Sequence, residues 1–353
     1  MTTRTTLVVG AHAVIGGAVA QRLRDHDRPV ATLARRGPVT LPDGSVIDDH
    51  VQVDLLDPAA TAAALAGRAD ITEVVFAAYV ERETMAATVG PNVAMLRNLL
   101  DALHASASAV RHVVLIGGGK SYGEHLGHYK TPAKESDPRF LGPIFYNDQE
   151  DLLWTDAERA GYTWTVLRPD GVLGVSLGSP MNLVTGLAVF AAVSKHQGVP
   201  LRFPGTPQAW TALHQATDAR IVAGAVEWAL DSPAARGEVF NVTNGDHFRW
   251  QHLWPDIAGF FGMPAAPPQP MPLAEQMADK GATWGALAAA HELRPLPLSA
   301  LASWPFIDGW LANGADMVQS TIKIRRAGFT ECIDTHDSFL DNLDRMRALR
   351  LIP

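Results

Sequence analysis

Leu7-Val8-Val9-Gly10-Ala11-His12-Ala13-Val14-Ile15-Gly16-Gly17 is the stretch whose reading decides the fold of this chain. A short apolar run reads as a buried strand, Gly10 opens a tight turn, and a helix begins at about Val14. Such a turn aims free backbone N–H groups and the positive end of a helix dipole at a pyrophosphate. Alanine occupies position 13, where the usual spacing has a second glycine, and its methyl group points toward the approach of a phosphate oxygen. The next strand, Pro29–Ala34, ends in Arg35-Arg36, with Arg35 19 residues after Gly16. A carboxylate there would bind a ribose 2′-hydroxyl, whereas an arginine pair suits a 2′-phosphate, so the pattern reads as NADPH binding.

Working outward, short apolar runs alternate with helical patterns. Strands are expected at Thr6–Val9, Pro29–Ala34, His50–Val53, Glu73–Ala78, Arg111–Ile116 and Trp164–Leu167, and helices at Pro58–Leu65, Pro91–His104 and Asn147–Ala160. This alternation predicts an α/β fold, a Rossmann-type doubly wound parallel sheet covered by helices on both faces. After Arg168 come a loop over Pro169–Pro180, an apolar helix over Met181–His196 and a short strand at Pro200–Phe203. Helix Asp218–Leu230 and strand Glu238–Val242 then return to the sheet, and a proline-rich linker, Pro264–Pro270, leads into a mostly helical remainder. Residues 1–173, with 209–245, are therefore expected to form the dinucleotide-binding domain. Residues 174–208 and 246–353 would form a smaller, mostly helical substrate cap over the carboxyl ends of the strands, where open α/β sheets bind ligands. Trp254, Trp284, Trp304 and Phe306 suggest an apolar pocket in that cap.

Composition narrows the function. The 353 residues are 47% hydrophobic and 19% charged, ordinary for a globular enzyme. A net charge of −8 argues against a nucleic-acid or acidic-membrane partner. A single cysteine, Cys332, excludes an internal disulfide framework and fits the cytoplasm. The nearest approach to a membrane span, Leu183–Val193, is too short. His125 and His128 lie three apart in a loop and do not make a metal site. Gly174-Val175-Ser176-Leu177-Gly178 fits the serine-hydrolase pattern, but Pro169-Asp170-Gly171 before it and Gly178-Ser179-Pro180 after it deny it the required strand and helix.

Many nicotinamide reductases of this architecture place a lysine four residues after a catalytic tyrosine. None of the five tyrosines here has one; after Tyr146 that place holds Glu150. The first of the six lysines, Lys120, instead follows strand Arg111–Ile116 and the run Gly117-Gly118-Gly119, at the carboxyl edge of the sheet. The stretch from Gly118 to Arg139 and the segment Phe145-Tyr146-Asn147-Asp148-Gln149-Glu150-Asp151 resemble the progesterone 5β-reductase/iridoid synthase-like family. This family comprises atypical extended short-chain dehydrogenases that reduce enones with NADPH. The resemblance continues through Arg168-Pro169, Met181-Asn182-Leu183, Lys195-His196, Leu201-Arg202-Phe203, Phe240–Asp246 and Leu351-Ile352-Pro353.

The resemblance implies Lys120 and Tyr146 as the catalytic pair, with Asn147 in place of the family's second tyrosine. It implies cofactor contacts from Gly10, His12, Ala13, Val14 and Gly16 in the first turn, and from Arg35 and Arg36 at the 2′-phosphate. Asp54 and Leu55 would lie beside the adenine, and Ala78, Tyr79, Ile116, Lys120 and Tyr146 along the strand ends. Pro169, Val172, Ser179 and Met181 would come from the loop under the nicotinamide. His12-Ala13 replaces the family's Thr-Gly, and Ile116 and Tyr79 replace a Gln and a Trp. The implied chemistry is hydride transfer to the β-carbon of an α,β-unsaturated carbonyl. Tyr146 would stabilise the enolate oxygen, and Lys120 would favour partial phenolate character. A carbonyl reductase and a non-catalytic NADP-binding sensor are the alternatives. A hydrophobic enone substrate and a homodimer are the expected partners, with the apolar helix Met181–His196 a candidate dimer contact.

Overall fold

The leading strand, β1 (Thr5–Val9), is buried along its whole length. In the computed structural model, which describes residues 4–353 except 42, 107, 177, 178 and 180, six further strands join it: β2 (Val30–Ala34), β3 (His50–Gln52), β4 (Ile71–Phe76), β5 (His112–Ile116), β6 (Thr163–Pro169) and β7 (Glu238–Val242). They form one parallel sheet in the order β3-β2-β1-β4-β5-β6-β7. The order reverses between β1 and β4, which opens a crevice at their carboxyl ends. This is the Rossmann architecture read from the sequence.

Side-chain alternation along β1 assigns the two faces. Val8 packs with α1 (Val14–Asp25) and α6 (Ala219–Asp231). Leu7 and Val9 pack with α2 (Pro58–Leu65), α3 (Met85–Ala105) and α4 (Phe145–Ala160). Burial on both faces explains the near-continuous Val, Leu and Ile content of the strands. A third apolar cluster, built from residues between Leu173 and Ala216 and between Phe248 and Ile352, lies around α5 (Leu183–His196), α7 (Trp250–Phe260) and α8 (Thr335–Ala348).

Several expectations need correction. α5 is buried continuously from Leu183 to Ser194, so its apolar face is already covered within the chain and offers no surface to a partner. Trp254, Trp284 and Trp304 are core residues rather than pocket walls. The Trp254 indole donates to the Leu201 carbonyl at 2.9 Å and Trp284 to that of Leu296 at 3.2 Å, while Phe306 is half-buried against the same cluster. The supposed linker is held to the body: Ala265–Ala266 pair in parallel with Leu201–Arg202, and the Gln269 N–H donates to the Phe203 carbonyl. α3 starts at Met85, capped by the Thr84 hydroxyl, with Pro91 inside it. Reading proline as a first-turn residue misplaced that start. A small hairpin, Val39–Thr40 with Val46–Ile47, was not anticipated. The Ser176 pentapeptide runs partly outside the described residues. Among the described residues no helix is long and apolar enough to cross a membrane.

Candidate active site at the carboxyl edge

The first turn shows which glycines the backbone demands. Gly10 has φ +85°, and a Cβ there would lie 2.8 Å from the Ala77 carbonyl oxygen at the end of β4. At Gly16 a Cβ would run into the Gly10 carbonyl. Ala13 has an extended conformation, φ −87° and ψ 167°, open to any residue, and its carbonyl accepts the Gly17 N–H. The missing second glycine therefore costs no backbone strain. Val14 and Gly16 are buried at the start of α1.

From this turn a groove of about 510 Å³ runs across the strand ends. It gathers Gly10, His12 and Ala13 from the first turn, Arg35 and Arg36 after β2, and Asp54 and Leu55 after β3. Ala78 and Tyr79 after β4 also line it, with Ser179 and Met181 from the loop before α5. The arginine loop is braced through its backbone by three side chains. His12 Nε2–H donates to the Gly37 carbonyl at 2.9 Å, His50 Nε2–H to that of Arg36 at 2.8 Å, and Gln52 to that of Arg35 at 3.3 Å. His12 is thus a strut between two loops. Both arginine side chains stay exposed. Ile116 and Pro169 are buried at the ends of β5 and β6, and Val172 is half-buried; none of the three lines the groove.

At the end of β5 the fold brings Tyr146 to the glycine run. A Cβ on Gly118 would lie 2.8 Å from Tyr146 Cε2 and 3.0 Å from its hydroxyl oxygen, so glycine lets the phenol rest directly on the backbone two residues before Lys120. The ring packs on Phe145 at 4.2 Å between centroids, and Phe145 on Tyr79 at 5.3 Å, linking the phenol to the groove wall. The tyrosine hydroxyl has no hydrogen-bond partner among the described residues. Burial pushes its pKa up, and Tyr79, Glu124 and Asp170 push the same way. Lys120 is not among the groups that shift it. The Lys120 charge acts on Glu124 and His125 instead.

Glu150, in the place where a lysine would follow a catalytic tyrosine, is fully buried. It receives Arg168 Nε at 2.9 Å and Nη2 at 2.7 Å, and Arg139 at 2.9 Å. The ion pair ties α4 to β6 and so holds Tyr146 in place. Sequence reasoning missed a second acidic group. Glu124, in the turn after Lys120, and Asp170, just after β6, are both buried and in contact. Burial pushes Asp170 up to about 7 and Glu124 well above the usual carboxylate range, Asp170 adding to the latter shift. No local pattern marks this pair, because the two residues meet only through the sheet.

A seven-stranded parallel sheet with a groove across its strand ends is a Rossmann fold, and solved structures share it. A UDP-glucose 4-epimerase from Thermotoga maritima superposes with a TM-score of 0.68 at 15% identity, covering 98% of this chain and 99% of that one. A short-chain dehydrogenase/reductase superfamily protein from Agrobacterium tumefaciens with bound NAD gives 0.66 at 19%, covering 98% of each. The family model for PRISE-like Rossmann-fold domains matches residues 41–353. An (S)-8-oxocitronellyl enol synthase of Camptotheca acuminata is 33% identical over 98% of this chain and 93% of its own length. A 3-oxo-Δ4,5-steroid 5β-reductase of Arabidopsis thaliana is 32% identical over 98% and 92%. The chain belongs to the PRISE-like Rossmann-fold family and is an oxidoreductase.

Proposed function

We propose that this protein is an NADPH-dependent reductase of α,β-unsaturated carbonyl compounds. The observation that carries the reading is the Tyr146 phenol, without a hydrogen-bond partner among the described residues and seated on Gly118, two residues before Lys120. The residues fit the cofactor. The turn at Gly10 and the start of α1 suit a pyrophosphate, and Arg35 and Arg36 are exposed on a braced loop for a 2′-phosphate. When bound, NADPH supplies hydride to the β-carbon of the enone.

Tyr146 then donates its hydrogen bond to the carbonyl oxygen, where negative charge gathers as the enolate forms. A neutral phenol suits that task, since a donor aimed at developing charge stabilises the transition state by about 3–4 kcal/mol. Water can protonate the resulting enolate, so no second acid is obligatory. Lys120 is the nearby cation and holds the cofactor ribose. Residues 174–208 and 246–353 act as the cap over an apolar substrate. The relative named as a 3-oxo-Δ4,5-steroid 5β-reductase supports a conjugated ketone as the substrate class. The lone, exposed Cys332 agrees with a cytoplasmic setting, and a homodimer is the assembly to test.

Mixing the protein with NADPH and 2-cyclohexen-1-one, with products identified by mass spectrometry, tests the reading. The saturated ketone is expected. An allylic alcohol would make the protein a carbonyl reductase. Tight NADPH binding without oxidation by any enone or aldehyde would make it a sensor.

A further inference from the structure

Beneath the turn that carries Lys120, two carboxyl groups from distant parts of the chain meet in the interior, Glu124 at 5% exposure and Asp170 at 3%. Their surroundings differ. Asp170 is met by donors: the Gln215 amide reaches its Oδ2 at 3.3 Å and the Gly171 N–H also bonds it. Gln215 is itself held, its Oε1 accepting the Gln319 N–H at 2.9 Å. Glu124 has fewer donors: its Oε2 lies against Gly119, and the Gln319 amide is the donor that reaches it. Two carboxylates in contact inside a protein cannot both ionise at low cost. The donor distribution therefore puts a proton on Glu124 and makes Asp170 its acceptor.

The glycine run is gripped from two sides. The Tyr146 ring occupies the space that a side chain at Gly118 would need, and Glu124 with Gln319 occupies that at Gly119. We propose that Glu124 and Asp170 are positioning residues: a proton-sharing pair that clamps Gly118–Gly119 against Tyr146 beneath the turn that carries Lys120. The inference rests on the roles proposed above for Lys120 and Tyr146.

The groups around the pair are Lys120 from the turn, Tyr129 from the following loop, Tyr146 from α4, and the amides of Gln215 and Gln319. Lys120 is the cation whose charge acts on Glu124; burial pushes both phenols up, and the two carboxyl groups add to that. Loss of the shared proton puts two like charges in contact. Glu124 then withdraws from Gly119, and the segment carrying Lys120 loses its register with Tyr146. The reduction should therefore slow on the alkaline side of neutrality.

Turnover against pH is to be compared for the parent enzyme, Glu124→Gln, Asp170→Asn and Glu124→Ala, alongside infrared spectra of the same proteins. The parent should show the alkaline fall in kcat together with the carbonyl stretch of a protonated carboxylic acid at neutral pH. Glu124→Gln keeps a donor toward Asp170 but cannot ionise, so it should lose both the fall and the band. Asp170→Asn reports the same two features if the first variant folds poorly. Glu124→Ala removes the clamp and should lower kcat by about 10²-fold with the NADPH Kd unchanged, the scale for misplacing a reacting group by about 1 Å. An unaltered alkaline fall in a folded Glu124→Gln, or no carboxylic acid band in the parent, overturns the proposal. A parent that turns over no enone fails the proposed function instead, and the infrared band still decides whether the pair holds its proton.

Discussion

Replacing Tyr146 by phenylalanine isolates one oxygen atom. That oxygen has no partner among the described residues, while the ring beneath it rests on Gly118 and packs on Phe145. Phenylalanine keeps the ring contacts and breaks no protein hydrogen bond, so stability should change by less than about 1 kcal/mol. Catalysis should suffer far more. A lost donor at a developing oxyanion costs about 3–4 kcal/mol, which corresponds to about 10²–10³-fold in kcat. The companion variant Gly118→Ala leaves the phenol in place but puts a methyl carbon 2.8–3.0 Å from the Tyr146 ring edge and hydroxyl, closer than packed carbons approach. The ring must shift, and a shift of about 1 Å costs about 10²-fold. Because both changes act through one phenol, the double variant should be about as slow as Tyr146→Phe alone rather than slower by the product of the two losses. Initial rates of NADPH oxidation with 2-cyclohexen-1-one, NADPH Kd from fluorescence and chemical denaturation give the three readings. A Tyr146→Phe enzyme with parental kcat, or losses that multiply in the double variant, would refute the role given to the phenol.

Removing both Arg35 and Arg36 by alanine substitution should weaken NADPH binding by roughly tenfold or more per arginine, the worth of a charge-assisted hydrogen bond, with little effect on NADH; calorimetry with both nucleotides checks this. Glu150→Gln keeps one acceptor oxygen but removes the charge that neutralises the buried Arg168 guanidinium, and should cost about 3–5 kcal/mol of stability, read from denaturant midpoints. His112, buried between the hydroxyls of Thr163 and Thr165, is pushed down to about 3 by burial and by the charge of Arg236. Below about pH 6.5 the unfolded chain takes a proton that the folded chain refuses, so stability should fall as the solution is acidified. Urea midpoints from pH 7 to pH 4 should show that slope, flatter in His112→Gln.

Periodicity carried most of the sheet. β1, β2, β5 and β7 fall within a residue or two of where the apolar runs put them, because strands buried on both faces leave an uninterrupted apolar signature. Boundaries set by proline were less legible: Pro91 sits well inside α3 and Pro264–Pro270 contributes a strand pairing. Tryptophan was ambiguous in kind. The large aromatics of the C-terminal half read as a pocket, whereas Trp254 and Trp284 are core because their indole N–H groups reach carbonyls inside it.

The sequence by itself determined the parallel sheet, the turn at Gly10, the arginine pair after β2 and the family, because each is written in local spacing or in a run of neighbouring residues. Only the tertiary structure decided that Tyr146 lies on Gly118, that His12 braces the arginine loop, and that Glu124 meets Asp170. These are contacts between the ends of different strands. The crossings of the sheet bring them together, and no periodicity along the chain encodes which of those ends become neighbours.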